Sequence, residues 1–239
     1  HAAKKGPALI PIEQARANRE PIDWLHGGPD DGPCAPPKPK FIGRREFRNF
    51  DLGELAGYID WGPFFQTWDL HGAFPGILND ETVGESARRV FSDGKAMLKR
   101  IVDGRWLTAN GVVMFMPANS VGDDIECYAD ETRSKTLFTW HNLRQQTAKR
   151  EGVANKCLAD FVAPRLIDGR PSGIDDWVGM FAVTAGIGSE KKEKEFVALL
   201  DDYSAIMFKS IADRLAEAFA ECLHARVRRD LWGYAADEQ

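Results

Sequence analysis

The stretch Ile206-Met-Phe-Lys-Ser-Ile-Ala-Asp-Arg-Leu-Ala-Glu-Ala-Phe-Ala-Glu-Cys-Leu223 places Met207, Ile211, Leu215, Phe219 and Leu223 four positions apart, and Ile206, Ala218 and Cys222 widen the stripe. Side chains at that spacing share one face of an α-helix, so the stretch predicts a long helix laid against a core. The opposite face carries Asp213, Glu217 and Glu221. Like charges at i, i+4 cost a helix about 0.2–0.5 kcal/mol per pair, and Lys209 and Arg214 lie close enough to offset part of that. The bland reading of this acidic face is a solvated surface; the sharper one is complementarity to a cationic visitor. The helix closes a helical region from about Lys191 to Leu231 that is predicted to break near Asp201.

Working upstream, the middle of the chain changes period. Gly111 to Met116 is a short apolar run, Ile125 to Tyr128 follows a loop, and Thr136 to His141 mixes aromatics with Thr, a pattern that predicts a β-meander. Pro117 to Asp124, rich in Asn, Ser, Gly and Asp, reads as a tight surface turn. Leu143-Arg-Gln-Gln146 reads as a strand-to-helix transition in which Arg144 pairs with a carboxylate. Trp177 to Ala185 is a further strand, closed by Gly186-Ile-Gly188.

Nearer the start, Trp61, Phe64, Phe65 and Trp68 fall at i, i+3, i+4, i+7, with Asp60 at the N-cap position and Pro63 in the first turn. Val83 to Ile101 predicts a second helix, ended by Asp103-Gly104. Ile12 to Arg19 and Glu54 to Tyr58 are short helical candidates, and Phe41 to Phe50 is a candidate edge strand. Residues 1–40, with Gly27-Gly-Pro-Asp-Asp-Gly-Pro33 and Pro36-Pro-Lys-Pro39, read as a linker or lead-in, leaving 41–239 as the main domain. Strands grouped in the middle with long helices at both ends imply an α+β fold on a mixed or antiparallel sheet of at least four strands.

Composition narrows the function classes. The 239 residues are 44% hydrophobic and 28% charged, enough for a sizeable core. A net charge of -5 with no basic run disfavours nucleic acid as a partner. The apolar runs, such as Met180-Phe-Ala-Val183, fall far short of the roughly 18 residues that suggest a membrane span. The opening His1-Ala-Ala-Lys-Lys5 lacks the apolar stretch of a signal peptide and reads as the start of an excised piece. Four cysteines, Cys34, Cys127, Cys157 and Cys222, lie tens of residues apart, which implies free thiols and a cytoplasmic setting. Cys222 and His224 on a helix point about 200° apart, so no metal site is expected there. No P-loop, G-x-S-x-G or G-x-G-x-x-G occurs, which disfavours a dinucleotide fold and a Rossmann-type methyltransferase site.

The segments Tyr58-Ile-Asp-Trp-Gly-Pro-Phe-Phe-Gln-Thr-Trp68, Pro117-Ala-Asn-Ser-Val-Gly-Asp-Asp-Ile125, Leu143-Arg-Gln-Gln146, Cys157-Leu-Ala-Asp-Phe-Val-Ala-Pro164, Asp201-Asp-Tyr203, Ala212-Asp-Arg-Leu-Ala-Glu-Ala-Phe-Ala-Glu221 and Trp232-Gly-Tyr234 are collinear with one family. Together they resemble the C-terminal activation domain of cobalamin-dependent methionine synthase, a multidomain methyltransferase. The likeness covers nearly everything from Gly57 onward and is weaker over the first forty or so residues.

That resemblance implies a repair function: presenting S-adenosylmethionine to cob(II)alamin on a neighbouring cobalamin-binding domain, with flavodoxin or a similar flavoprotein as electron donor. It implies no catalytic acid or base. In the family the Asp of the matching Ile-Asp-Trp motif and the Glu of Arg-Leu-Ala-Glu lie at the S-adenosylmethionine site, which implies that role for Asp60 and Glu217. The Asp of Ala-Asp-Arg receives the cobalamin-domain histidine once it leaves cobalt, which implies that role for Asp213. The family continues beyond Trp232-Gly-Tyr234 with an Arg-Pro-Ala-Pro-Gly-Tyr stretch that has no counterpart up to Gln239. With the principal ligand-site arginine in that stretch, the expectation is weak or absent S-adenosylmethionine binding by these 239 residues. The alternative reading is a non-catalytic module that caps a corrin-binding partner.

Overall fold

A computed structural model describes Gly6 and residues 8–238. The expectations made for His1 to Lys5, Pro7 and Gln239 lie outside the described residues. The elements in chain order are α1 (Ile12–Ala17), β1 (Gly43–Phe47), α2 (Leu52–Ala56), α3 (Gly62–Gln66), α4 (Gly84–Asp103), β2 (Thr108–Val121), β3 (Asp124–Tyr128), β4 (Thr136–His141), β5 (Leu166–Ile167), β6 (Arg170–Pro171), β7 (Asp176–Ile187), α5 (Ser189–Ala198) and α6 (Asp202–Arg226). Five strands form one sheet in the order β1-β2-β3-β4, with β7 also paired to β2. The pairs β2–β3 and β3–β4 are antiparallel, with Ser120 opposite Ile125 and Ile125 opposite Trp140. This is the α+β architecture with an antiparallel sheet that the sequence predicts.

The chain groups into two units, one up to Gly43 with Met114–Met180 and the other Arg44–Val113 with Phe181–Gln239. In the first, the alternating inward residues of β2 and β3 bury Met116, Ala118, Ile125 and Cys127 against Cys157, Ala159, Val162 and Val178. The stretch before β1 is tied into this unit: the Ile10 amide donates to the Gln146 carbonyl at 2.9 Å, and the Asn155 amide to the Asn18 carbonyl at 2.7 Å.

Two sequence expectations are corrected here. Pro117 to Asp124 is not a surface turn; β2 runs on through Val121, with Ala118, Asn119 and Ser120 at most 8% exposed, and only Gly122 and Asp123 turn the chain. Turn-type residues survive in a buried strand because their polar groups are satisfied. The Asn119 amide donates to the carbonyls of Ala163 and Ile174 at 3.0 and 3.1 Å, and the Ser120 hydroxyl to that of Val162 at 2.9 Å. Leu143 to Gln146, in turn, leads into no helix and is held as extended chain by the Gln145 amide donating to the Lys156 carbonyl at 3.0 Å.

In the second unit, α4 and α6 are the long helices, with α2 and α3 packed on both. The predicted α6 stripe is buried from Met207 to Leu223, each member at most 1% exposed, except Ile206, which is 47% exposed. Ile206 sits one position off the four-step, on the edge of the buried arc. Gly94 in α4 lets that helix close on Phe64, whose ring carbon would lie 2.6 Å from any added Cβ. The break expected near Asp201 is present: α5 ends at Ala198, and the Asp201 carboxylate caps α6 by accepting the Ser204 amide at 3.0 Å.

Candidate functional site

The run from α2 to Trp68 lies along α6 and is fastened at two levels. Glu54 takes the Arg226 guanidinium at 2.7 and 2.8 Å, and the Cys222 thiol lies 3.5 Å from the same carboxylate. Fourteen positions further on, the Trp68 indole packs on the Tyr203 ring with centroids 5.1 Å apart. The two fastenings run in opposite directions along the helix, from Arg226 back to Tyr203. Asp60 lies in the run between these two fastenings, and Asp213 and Glu217 lie on α6 between Tyr203 and Arg226.

Each candidate side chain is exposed, as a ligand-facing carboxylate must be. Asp60 is not the N-cap of α3. Trp61 holds that position without a side-chain bond, while the Asp60 carboxylate accepts the Gly62 amide at 2.8 Å from one residue earlier. The bond still satisfies a first-turn donor, so a local structural duty exists alongside any other. One carboxylate oxygen makes this bond; its remaining lone pairs face outward. Trp61, beside it, is half-buried edge-on to Phe64 and Phe91, with centroids 5.2 and 4.9 Å apart. A rigid aromatic floor thus lies next to an exposed anion.

Glu217 is not free. Arg214, three residues earlier on α6, grips it with both terminal nitrogens, one at 2.7 Å. Lys209, which the sequence also offers to this face, reaches Glu193 of α5 at 3.1 Å instead. Asp213 has no hydrogen bond or ion pair among the described residues, which leaves it open to an incoming cation. Beneath this face, burial and the neighbouring Glu54 carboxylate push the Cys222 thiol up to about 11, so it stays protonated and inert at neutral pH.

Two clefts of the described surface, one of about 450 Å³ and another of about 600 Å³, lie in the first unit, and neither is lined by Asp60, Asp213 or Glu217. Among the described residues no three His, Cys, Asp or Glu gather into a metal cluster, and no helix is long and apolar enough to cross a membrane. The cysteines are free, with all but Cys34 buried.

The carboxylate partner expected for Arg144 is present; what sequence reasoning missed was its identity. The Arg144 guanidinium lies 2.6 Å from Asp160 and 2.8 Å from Asp123, with Arg144 and Asp160 side chains 2% and 3% exposed. The motifs containing all three were visible, but partners 16 and 21 positions away carry no local periodic signal.

A crystal structure of the MetH reactivation domain bound to AdoHcy is 47% identical in sequence, with a TM-score of 0.87, over 97% of this chain and 67% of that one. Residues 51–239 match the family described as vitamin B12 dependent methionine synthase, activation domain. The chain belongs to that activation-domain family.

Proposed function

We propose that this chain is the reactivation module of a cobalamin-dependent methionine synthase and presents S-adenosylmethionine to cob(II)alamin held by a partner domain. The observation that carries the reading is the similarity to a reactivation domain bound to AdoHcy, the demethylated form of S-adenosylmethionine, along almost the whole chain. When bound, S-adenosylmethionine supplies the methyl group and leaves as AdoHcy, while flavodoxin or a similar flavoprotein supplies the one electron that reduces the cobalt.

The chain's own residues have limited chemistry to perform, and the reaction requires no acid–base pair from them. They orient the donor and complement its charge. Asp60 and Glu217 hold the cationic end of the ligand. Asp60 is preset by its bond to the Gly62 amide, and Glu217 either keeps Arg214 and accepts through its spare lone pairs or exchanges it. That exchange is cheap, because an exposed ion pair contributes only about 0–1 kcal/mol. Trp61 walls the site, and Asp213 receives the histidine released from cobalt.

The test is calorimetric titration of S-adenosylmethionine into the full enzyme and its Asp60→Asn variant. Saturable heat that the substitution weakens supports the assignment. A full enzyme that gives no saturable heat removes the ligand role and leaves a module that only caps its partner.

A further inference from the structure

The first unit contains a cleft of about 450 Å³ that the reactivation reading does not use, since Asp60, Asp213 and Glu217 all belong to the other unit. Its volume is that of a small-molecule site. One wall is the chain after α1, with Ile22 and the turn that holds Trp24 and Leu25; the other is the β5–β6 hairpin, with Leu166, Ile167 and Asp168. Apolar surface is left in water on both sides, Leu25 being 37% and Leu166 48% exposed, and the Trp24 ring is half-buried.

The charges around it sort into engaged and free. Glu20 pairs with Lys156 at 3.3 Å, Asp160 with Arg144 at 2.6 Å, and the Asp23 carboxylate accepts the amides of Leu25 and His26 at 3.1 and 2.9 Å. Arg19 and Asp168, which also line the cleft, have no hydrogen bond or ion pair among the described residues. The cleft therefore offers one unpartnered cation, Arg19, and one unpartnered anion, Asp168, in a wall of mixed polar and apolar surface that includes Trp24 and Leu166.

We propose that it binds a free α-amino acid with an apolar side chain, the carboxylate on Arg19, the ammonium on Asp168 and the side chain against Trp24 and Leu166. A ligand with only negative charge leaves Asp168 facing it, one with only positive charge leaves Arg19 facing it, and a neutral apolar one desolvates both without compensation. A zwitterion satisfies each. The planar guanidinium of Arg19 matches a carboxylate through two parallel hydrogen bonds.

The probe is L-phenylalanine, followed by saturation-transfer NMR and calorimetry with the full chain. L-phenylalaninol, which lacks the carboxylate, and N-acetyl-L-phenylalanine, which lacks the ammonium, are the controls. Saturable binding of L-phenylalanine is expected, weakened about tenfold or more by either deletion of charge and by Arg19→Ala or Asp168→Asn. Both residues are exposed, and Asn tolerates the positive φ of 50° at Asp168, so the variants keep the fold. No saturable signal up to about 10 mM, or binding that neither the analogues nor the variants change, overturns the proposal.

Discussion

Asp60 shows how one side chain can carry a structural and a ligand role that a single substitution separates. Asn keeps a side-chain oxygen for the Gly62 amide 2.8 Å away, so Asp60→Asn should leave the melting temperature of the full enzyme almost unchanged. The charge is lost, and S-adenosylmethionine affinity should fall by about 1–3 kcal/mol. Equal affinity in calorimetry would leave Asp60 with the turn alone. Arg144 makes a contrasting case, because it is buried with its partners. Burial alone would raise the Asp160 carboxyl, but the Arg144 guanidinium and the Cys157 amide at 2.9 Å outweigh it and hold the group below the usual carboxylate range. Asp123 is likewise held low against its burial by Arg16 and Arg144. A depressed folded-state value contributes stability that is fully present above the unfolded value of about 4 and is lost as pH falls through the folded one. Arg144→Met should cost about 3–5 kcal/mol at neutral pH by stranding a buried charge, and should flatten the acid limb of the stability curve. Denaturant titrations at about pH 7 and about pH 2, above the unfolded carboxylate value and well below it, check both, and parallel loss at the two pH values would show that packing dominates.

At the scale of elements, what could be read from sequence was what repeats. The four-step of Met207, Ile211, Leu215, Phe219 and Leu223 predicts α6 because periodicity is local, and β4 falls where its aromatics and Thr place it, at Thr136–His141. What escaped depends on distant partners. Asn119 and Ser120 look like turn residues until Ala163, Ile174 and Val162 supply acceptors, and Glu54 does not announce its partner Arg226, 172 positions away. Gly94 makes the same point in reverse. In a mid-helix position Gly→Ala ordinarily stabilises by about 0.5–1 kcal/mol. Here the new Cβ would meet the fully buried Phe64 ring at 2.6 Å. Gly94→Ala should therefore destabilise, by about 1–3 kcal/mol, the range for overpacking a closed core. A thermal melt that rises on this substitution would show that α4 can move away from α3 at little cost.

For the whole molecule, the consequence to test is a choice between states of the parent enzyme. Asp213 is exposed on α6 with no hydrogen bond or ion pair among the described residues, next to Arg214 and one turn before Glu217, which pair with each other. A carboxylate that receives the histidine released from cobalt stabilises its imidazolium form and thereby the state in which cobalt is free of it. Asp213→Asn in the full enzyme removes that stabilisation. The cobalamin should then shift toward the histidine-bound form, most clearly near and below pH 7, where the released histidine is charged. Reactivation should slow, while ordinary methyl transfer, which uses other domain arrangements, stays near normal, because a contact shifts only the equilibrium between states it distinguishes. The cobalamin absorption spectrum followed against pH in both proteins reads the histidine-bound fraction directly. Superimposable titrations would return Asp213 to the solvated face of its helix. Loss of primary turnover together with a lower melting temperature would mark it as structural, and only a pH-dependent spectral shift with turnover intact fits a residue that acts on the partner's histidine.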